Sequence, residues 1–105
     1  MAVTGELEQA VMDILWSRSA SLSVRDVHEL LSTDRDLAYT TVMTVLDRLA
    51  KKGLLVRNLE GRAWLYSPAR SRVDEAAAEV LELLQRLTAA ERSQLLARLS
   101  AVTSA

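Results

Sequence analysis

The side chains best suited to a chemical role are three threonines and an arginine in the middle of the chain. Thr40, Thr41, Thr44 and Arg48 follow one another at spacings that suit a single helix. Threonine can bond a base edge or contact a thymine methyl group, and arginine can donate two hydrogen bonds to guanine O6 and N7. The pattern therefore predicts a helix that reads the major groove of DNA.

The position of these threonines within the helix supports the same interpretation. Base contacts in helix-turn-helix proteins concentrate near the start of the recognition helix, where Thr40, Thr41 and Thr44 fall. Threonine is a mediocre helix former, so three exposed threonines cost helix stability unless they make contacts. The alternative is an ordinary solvated helix face that carries threonines by chance.

Basic residues extend the predicted surface beyond the helix. Arg62, near the tip of a predicted hairpin, suits contact with the adjacent minor groove or the phosphate backbone. Asp47 opposes the interpretation mildly, because it would repel phosphate unless it pairs with Arg48 or Lys51. The predicted DNA-binding residues are Tyr39, Thr40, Thr41, Met43, Thr44, Arg48, Lys51, Lys52, Arg57 and Arg62.

The sequence gives little support for catalysis, for metal binding or for a phosphate-binding loop. The chain has one histidine, His28, and no cysteine, and its acidic and serine residues show no spacing typical of a nucleophile with its base. Neither a metal site nor a glycine-rich phosphate loop is indicated. We interpret His28, Trp16 and Trp64 as packing or surface residues. We expect no enzymatic activity, no metal and no cofactor.

The net charge of −1 hides an uneven distribution along the 105 residues. Residues 35–72 carry eight Lys or Arg against three acidic residues, whereas both flanking segments are acidic. Phosphate contacts act over about one Debye length, roughly 8 Å at physiological salt, so the local charge matters most. The middle third therefore suits a nucleic-acid partner.

The sequence also predicts where the protein works. The longest apolar runs are far shorter than the ~20 residues that span a bilayer. Met1–Glu6 lacks the basic and then apolar regions of a secretory signal, and the lack of cysteine excludes disulfides. We expect a cytoplasmic protein without membrane contact.

Apolar periodicity predicts the elements that position these residues. In the third helix, Val42, Val45, Leu46 and Leu49 form a buried stripe opposite the threonines. A very short strand could precede the second helix, for which Ser23-Val24-Arg25-Asp26 resembles a capping box. The predicted helices are Glu6–Ser17, a second one opening at Ser23, and Tyr39–Lys52; the predicted strands are Leu54–Asn58 and Arg62–Ser67, joined through Leu59-Glu60-Gly61. Three helices followed by a basic hairpin are typical of a winged helix.

The last third of the chain predicts two amphipathic helices, the second opened by the capping box Thr88-Ala89-Ala90-Glu91. Their apolar stripes could fold back on the winged domain or pack against a second copy, and we favour the second copy. The predicted dimerisation residues are Val73, Ala77, Val80, Leu84, Leu87, Leu95 and Leu99. The fold class is mainly α with a small β-hairpin: a winged helix-turn-helix over residues 1–70, then a two-helix dimerisation arm over residues 71–105.

Four segments carry a resemblance to a known family. They are Gly5–Trp16, Val24–Leu31, Leu37–Leu54, and Gly61-Arg62-Ala63-Trp64 with Tyr66 and Pro68. Over about residues 5–68 the chain resembles the penicillinase repressor (BlaI/MecI) family of winged-helix proteins. The eighteen-residue segment Leu37–Leu54 is the most specific part of the match.

This resemblance implies a repressor that binds a pseudo-palindromic operator as a homodimer, often at TACA/TGTA-type half-sites, through the third helix. It further implies control of antibiotic (β-lactam) or envelope-stress genes, and release from DNA through a sensor-linked protease. The copper-responsive branch uses a C-terminal cysteine motif that this sequence lacks, so we expect no copper sensing.

Two other functions fit the sequence pattern. One is a winged-helix module that binds another protein, which the near-neutral total charge and Asp47 would suit. The other is a regulator that responds to a small ligand held between the winged domain and the C-terminal helices. Salt-dependent retention on duplex DNA separates a DNA-binding protein from a protein-binding module.

Overall fold

A computed structural model describes residues 5–18, 20–33 and 35–103. Its elements, in chain order, are α1 (Glu6–Ser17), β1 (Leu22–Ser23), α2 (Val24–Leu31), α3 (Tyr39–Lys51), β2 (Leu55–Glu60), β3 (Ala63–Pro68), α4 (Arg72–Gln85) and α5 (Ala89–Thr103). Three helices precede a two-stranded hairpin, as predicted, and two further helices follow it. The predicted winged-helix fold class is confirmed.

The core forms where α1, α2 and α3 meet the base of the hairpin. The predicted stripe of α3 is buried along its whole length, and it packs with apolar residues of the two preceding helices. Burial of each large aliphatic side chain contributes about 1.5–3 kcal/mol, so this stripe fixes which face of α3 points outward. The core residues are Val11, Met12, Leu15, Val27, Leu31, Val42, Val45, Leu46, Leu49, Leu54, Leu55 and Tyr66.

The start of α2 and the loop before α3 are held by local hydrogen bonds. The Asp26 amide donates to Ser23 Oγ at 3.1 Å, and the Ser23 amide donates to Asp26 Oδ2 at 3.0 Å, which confirms the predicted capping box. His28 Nε2 lies 2.8 Å from the Leu37 carbonyl oxygen, and its ring packs edge-on to Tyr39. His28 is thus a packing residue that fixes the entry into α3.

The three strands form one antiparallel sheet in the order β1-β3-β2. The hairpin pairs Leu55 with Pro68 at its base and Glu60 with Ala63 at its tip. The turn is therefore the dipeptide Gly61-Arg62, not the predicted Leu59-Glu60-Gly61. Gly61 has φ 62°, which suits the tight turns that match the twist of paired strands.

The residue of α4 that faces the winged domain is acidic. Glu75 is buried beside Arg70, 3.7 Å away, whereas Val73 and Val80 are 76% and 43% exposed. At 100° per residue, Val80 lies about 140° around the helix from Glu75. The apolar stripe of α4 therefore points away from the winged domain, and the molecule is elongated, with extents of 52 × 27 × 22 Å.

The helix α5 begins at the predicted capping box, since the Thr88 amide donates to Glu91 Oε1 at 2.9 Å and the Glu91 amide to Thr88 Oγ1 at 3.2 Å. Arg92 Nη1 donates to the Leu87 carbonyl oxygen at 2.9 Å and ties α5 to the end of α4. Within the described ranges, no helix combines the length and apolar character needed to cross a membrane.

Candidate nucleic-acid interface

The outward face of α3 carries the predicted threonines. Thr40, Thr41 and Thr44 are all exposed, on the side opposite the buried stripe. The Thr44 hydroxyl donates to the Thr40 carbonyl oxygen at 2.9 Å, so its proton is already engaged. Its remaining lone pairs and its methyl group face outward, and can accept from a base amine or contact a thymine methyl.

One turn along the same face lies Arg48, whose side chain is 56% exposed. Its Nη1 is 4.0 Å from Oε2 of Glu8, a carboxylate of α1 that is almost completely buried. The Glu8 carboxylate therefore attracts the guanidinium of Arg48, which nevertheless stays accessible to a ligand.

Lys52, next to the end of α3, has a different environment. Its Nζ lies 2.9 and 3.2 Å from the two oxygens of Glu8, and its side chain is 21% exposed. DNA would have to draw Lys52 away from this carboxylate to gain a phosphate contact. The geometry gives Lys52 a structural role, and its phosphate contact stays a prediction.

Asp47 joins α3 to the hairpin. Its Oδ2 lies 3.1 Å from Nζ of Lys51, and its Oδ1 lies 3.6 Å from Nη1 of Arg57 on β2. Of the two partners considered from the sequence, Lys51 pairs with Asp47, and Arg57 takes the place given to Arg48. The carboxylate is thus charge-compensated on the face that carries the threonines.

Arg57 also stacks on Trp64. Its guanidinium carbon lies 4.4 Å from the ring centroid, within the range of a cation–π interaction. Arg57 pairs with Tyr66 in the sheet, so Trp64, two residues away, is its diagonal neighbour on the same face. These side chains and α3 border an open groove of about 370 Å³, lined by Val24, Met43, Thr44, Asp47, Arg57, Trp64 and Tyr66.

The other predicted residues lie at the ends of this surface. Tyr39 is exposed at the first turn of α3 and is oriented by His28, while Met43 faces the groove. Arg62 is exposed in the tip of the hairpin. The fold thus brings the threonine face of α3, Met43, Lys51 and Arg57 together, places Tyr39 and Arg62 at the two edges, and turns Lys52 toward α1.

Two side chains that shape this surface, Glu8 and Trp64, were not assigned to it from the sequence. Glu8 carries a signal, because it stands four residues before Met12 and seven before Leu15, both buried. Trp64 carries none beyond its type, since its contact with Arg57 depends on the pairing register of the two hairpin strands. Among the described residues, no group of three or more His, Cys, Asp or Glu side chains is arranged to hold a metal ion.

The predicted dimerisation residues follow the outward stripe of α4 and the apolar residues of α5. Val73, Ala77, Val80 and Leu99 are exposed, whereas Leu84, Leu87 and Leu95 are half-buried around the connection of the two helices. Other apolar side chains, including Leu81, Leu83 and Leu96, are exposed beside them. Exposed apolar side chains in such number are typical of an interaction surface, and dimerisation through them stays a prediction.

Comparisons with known proteins show the family of the chain. The sequence model of the family described as "Penicillinase repressor" matches residues 4–104. The "Transcriptional regulator BlaI" of Mycobacterium tuberculosis is 54% identical over 80 residues, which cover 76% of this chain and 58% of the relative. The "Penicillinase repressor" of Bacillus licheniformis is 36% identical over 63 residues, 60% of this chain and 48% of that protein. The matched segments thus span about half the length of these relatives.

Solved structures share the fold. The solution structure of the DNA-binding domain of the repressor BlaI is similar at a TM-score of 0.60 and 34% identity, over 68% of this chain and 85% of that one. The monomeric form of B. licheniformis BlaI, solved in complex with the blaP half-operator, gives a TM-score of 0.57 at 32% identity, with the same coverage of both chains.

Proposed function

The chain belongs to the penicillinase repressor family, and from this premise we propose that it is a sequence-specific transcriptional repressor that binds operator DNA. The family consists of DNA-binding regulators and not of enzymes. In this proposal α3 enters the major groove, and the hairpin lies along the adjacent backbone or minor groove. Residues 1–70 form the DNA-binding domain, and residues 71–105 form the dimerisation region.

One observation carries the proposal: the face of α3 opposite its buried stripe presents Thr40, Thr44 and Arg48 together. A major groove about 12 Å wide admits one helix, and these side-chain types match the donor and acceptor patterns of base edges. Because the opposite face is buried in the core, a docked α3 can present only its exposed face to the bases.

The outward stripe of α4 supports a homodimer. Val73 and Val80 point away from the winged domain that their own chain provides, so a second copy can cover them. A twofold axis would bury the same patch on both chains and present two copies of α3 to a pseudo-palindromic site. Dimerisation would also raise operator affinity, because the second half-site binds at high effective concentration.

The location of the protein, the genes it regulates and the way it is released from DNA are proposed from the family alone. We propose that the protein works in the cytoplasm, on genes of a β-lactam or envelope-stress response, and that a sensor-linked protease releases it from DNA. Because α4 and α5 would hold the dimer together, a cut in this region would separate the two DNA-binding domains and lower affinity for the paired site.

Selection from a pool of random duplexes tests the proposal directly. The purified full chain is mixed with the pool, bound duplexes are recovered and sequenced over several rounds, and affinities are measured against salt. We expect an enriched inverted repeat and an affinity that falls steeply as salt rises. Recovery of no common sequence would contradict the repressor. Salt-insensitive or absent retention would favour a module that binds protein.

A further inference from the structure

A negative charge sits among the side chains proposed to face DNA. Asp47 lies on α3 between Thr44 and Arg48 in sequence, and its carboxylate is 39% exposed. A carboxylate on a DNA-binding face repels phosphates, but here each of its two oxygens lies close to a cation of the same chain.

Each oxygen of Asp47 engages a different cation. Oδ2 lies 3.1 Å from Nζ of Lys51 on the same helix, and Oδ1 lies 3.6 Å from Nη1 of Arg57 on β2. Arg57 is held a second time, over the ring of Trp64. Two of the cations closest to the threonine face are therefore restrained before DNA arrives.

We propose that Asp47 determines specificity by restraining Lys51 and Arg57, so that it weakens binding to arbitrary duplexes more than binding to the operator. The inference rests on the proposed function. Binding to arbitrary sequences comes almost entirely from contacts between cations and phosphates. In such complexes Lys51 and Arg57 would have to leave Asp47 to reach a phosphate.

In the operator complex, by contrast, fewer of these contacts with Asp47 have to break. Base contacts from Thr44 and Arg48 fix one register between α3 and the duplex, and in that register Arg57 can stay on Asp47 and Trp64 while it borders the groove. A side chain that is already ordered loses less conformational entropy when it binds. The restraint therefore acts mainly against the wrong registers and sequences.

The test compares Asp47→Asn with the unchanged chain on two probes: a duplex selected by the unchanged chain from a random pool, and the same duplex with its sequence scrambled. We expect the Asp47→Asn substitution to raise affinity for the scrambled duplex by about three- to tenfold, as two exposed ion pairs allow. The slope of log affinity against log salt should steepen by about 0.9 for each phosphate gained. Affinity for the selected duplex should change less, so the ratio of the two affinities falls.

Glu60→Gln is the matched control, because Glu60 lies exposed at the end of β2 and its replacement changes the net charge of the protein by the same amount. We expect this variant to raise both affinities by the same factor. Equal changes on both probes for Asp47→Asn, or an unchanged salt slope on the scrambled duplex, would overturn the inference. If the unchanged chain selects no sequence at all, the proposed function itself has failed, which is a different result.

A second measurement guards against an indirect effect on folding. Lys51→Gln is made in the unchanged chain and in the chain that carries Asp47→Asn, and each variant is melted thermally before use. If Asp47 restrains Lys51, the loss of Lys51 should weaken binding to the scrambled duplex more when Asp47→Asn is also present. Equal losses in the two backgrounds would contradict the restraint.

Discussion

The Nζ of Lys52 lies 2.9 Å from Oε1 of Glu8, and this pair ties the end of α3 to the first turn of α1. The carboxylate is only 6% exposed, and Arg48 approaches its other oxygen at 4.0 Å. A nearly buried charge is tolerated when opposite charges and hydrogen bonds compensate it. The pair therefore fixes how α3 sits on α1, and with it the direction in which the exposed face of α3 points.

Replacement of Glu8 should destabilise the fold. Glu8→Ala leaves the ammonium of Lys52 half-buried without its carboxylate, and we expect the free energy of unfolding to fall by about 2 kcal/mol. Chemical denaturation monitored by tryptophan fluorescence measures the change. Glu6→Ala is the control, because Glu6 is in the same turn and pairs with Arg35 at 3.1 Å, but is 86% exposed. Its loss should be below about 0.5 kcal/mol. Equal losses would refute the structural role of the Glu8 pair.

Sequence periodicity predicted the parts of the fold that depend on local rules. The buried stripe of α3 follows from apolar residues three and four apart, and two capping boxes were visible as a hydroxyl three residues before an acid. The outward positions of Thr40 and Thr44 then follow by geometry, because a helix with one buried face exposes the other. For this reason the exposed face of α3 could be predicted from the sequence.

The features of the fold and of the surface that the sequence did not predict depend on contacts between residues far apart in the chain. Asp47 meets Arg57 only because β2 packs beside α3, and Lys52 turns inward only because Glu8 lies beneath it. The hairpin turn differs from the predicted one because several positions at 58–62 suit a turn, and strand pairing decides among them. Residue type alone does not tell which Lys and Arg side chains can reach a phosphate and which pair with carboxylates of the same protein.

Arg48 and Thr44, on the exposed face of α3, should contribute differently to DNA binding. Arg48→Ala should weaken binding to the selected duplex by about tenfold or more and relax the preference at one base pair, since a bidentate contact is worth about 1–3 kcal/mol. Thermal melting should show a folded protein, because Arg48 is exposed. Arg98→Ala, in α5, is the control and should bind as the unchanged chain does. Unchanged affinity in Arg48→Ala would remove this residue from the reading face.

Thr44 offers a test of which of its atoms matters. Thr44→Val keeps the branched shape but removes the hydroxyl, whereas Thr44→Ser keeps the hydroxyl and removes the methyl. Because the hydroxyl proton is held by Thr40, we expect base recognition to use the methyl group or a lone pair. Fluorescence anisotropy on the selected duplex should show a loss in at least one variant. Full affinity in both would place Thr44 outside the interface.

The tip of the hairpin should bind without reading sequence. Arg62→Ala removes an exposed charge from the turn, and we expect weaker binding by a similar factor on selected and scrambled duplexes. The slope of log affinity against log salt should become shallower by about 0.9, the value for one lost phosphate contact. A loss confined to the selected duplex would instead assign Arg62 to base or minor-groove recognition.

The outward stripe of α4 makes the dimer testable with one charge. Val80→Asp places a carboxylate in the apolar surface that a second copy would cover, and a buried unpaired charge is far costlier than one in water. Sedimentation equilibrium should show monomers, and affinity for a duplex with two half-sites should fall toward that for a single half-site. Gln85→Asp adds the same charge to an exposed position outside the stripe, so it should remain dimeric. A Val80→Asp chain that stays dimeric would place the interface elsewhere. A monomeric unchanged chain would show that residues 71–105 do not suffice for dimerisation.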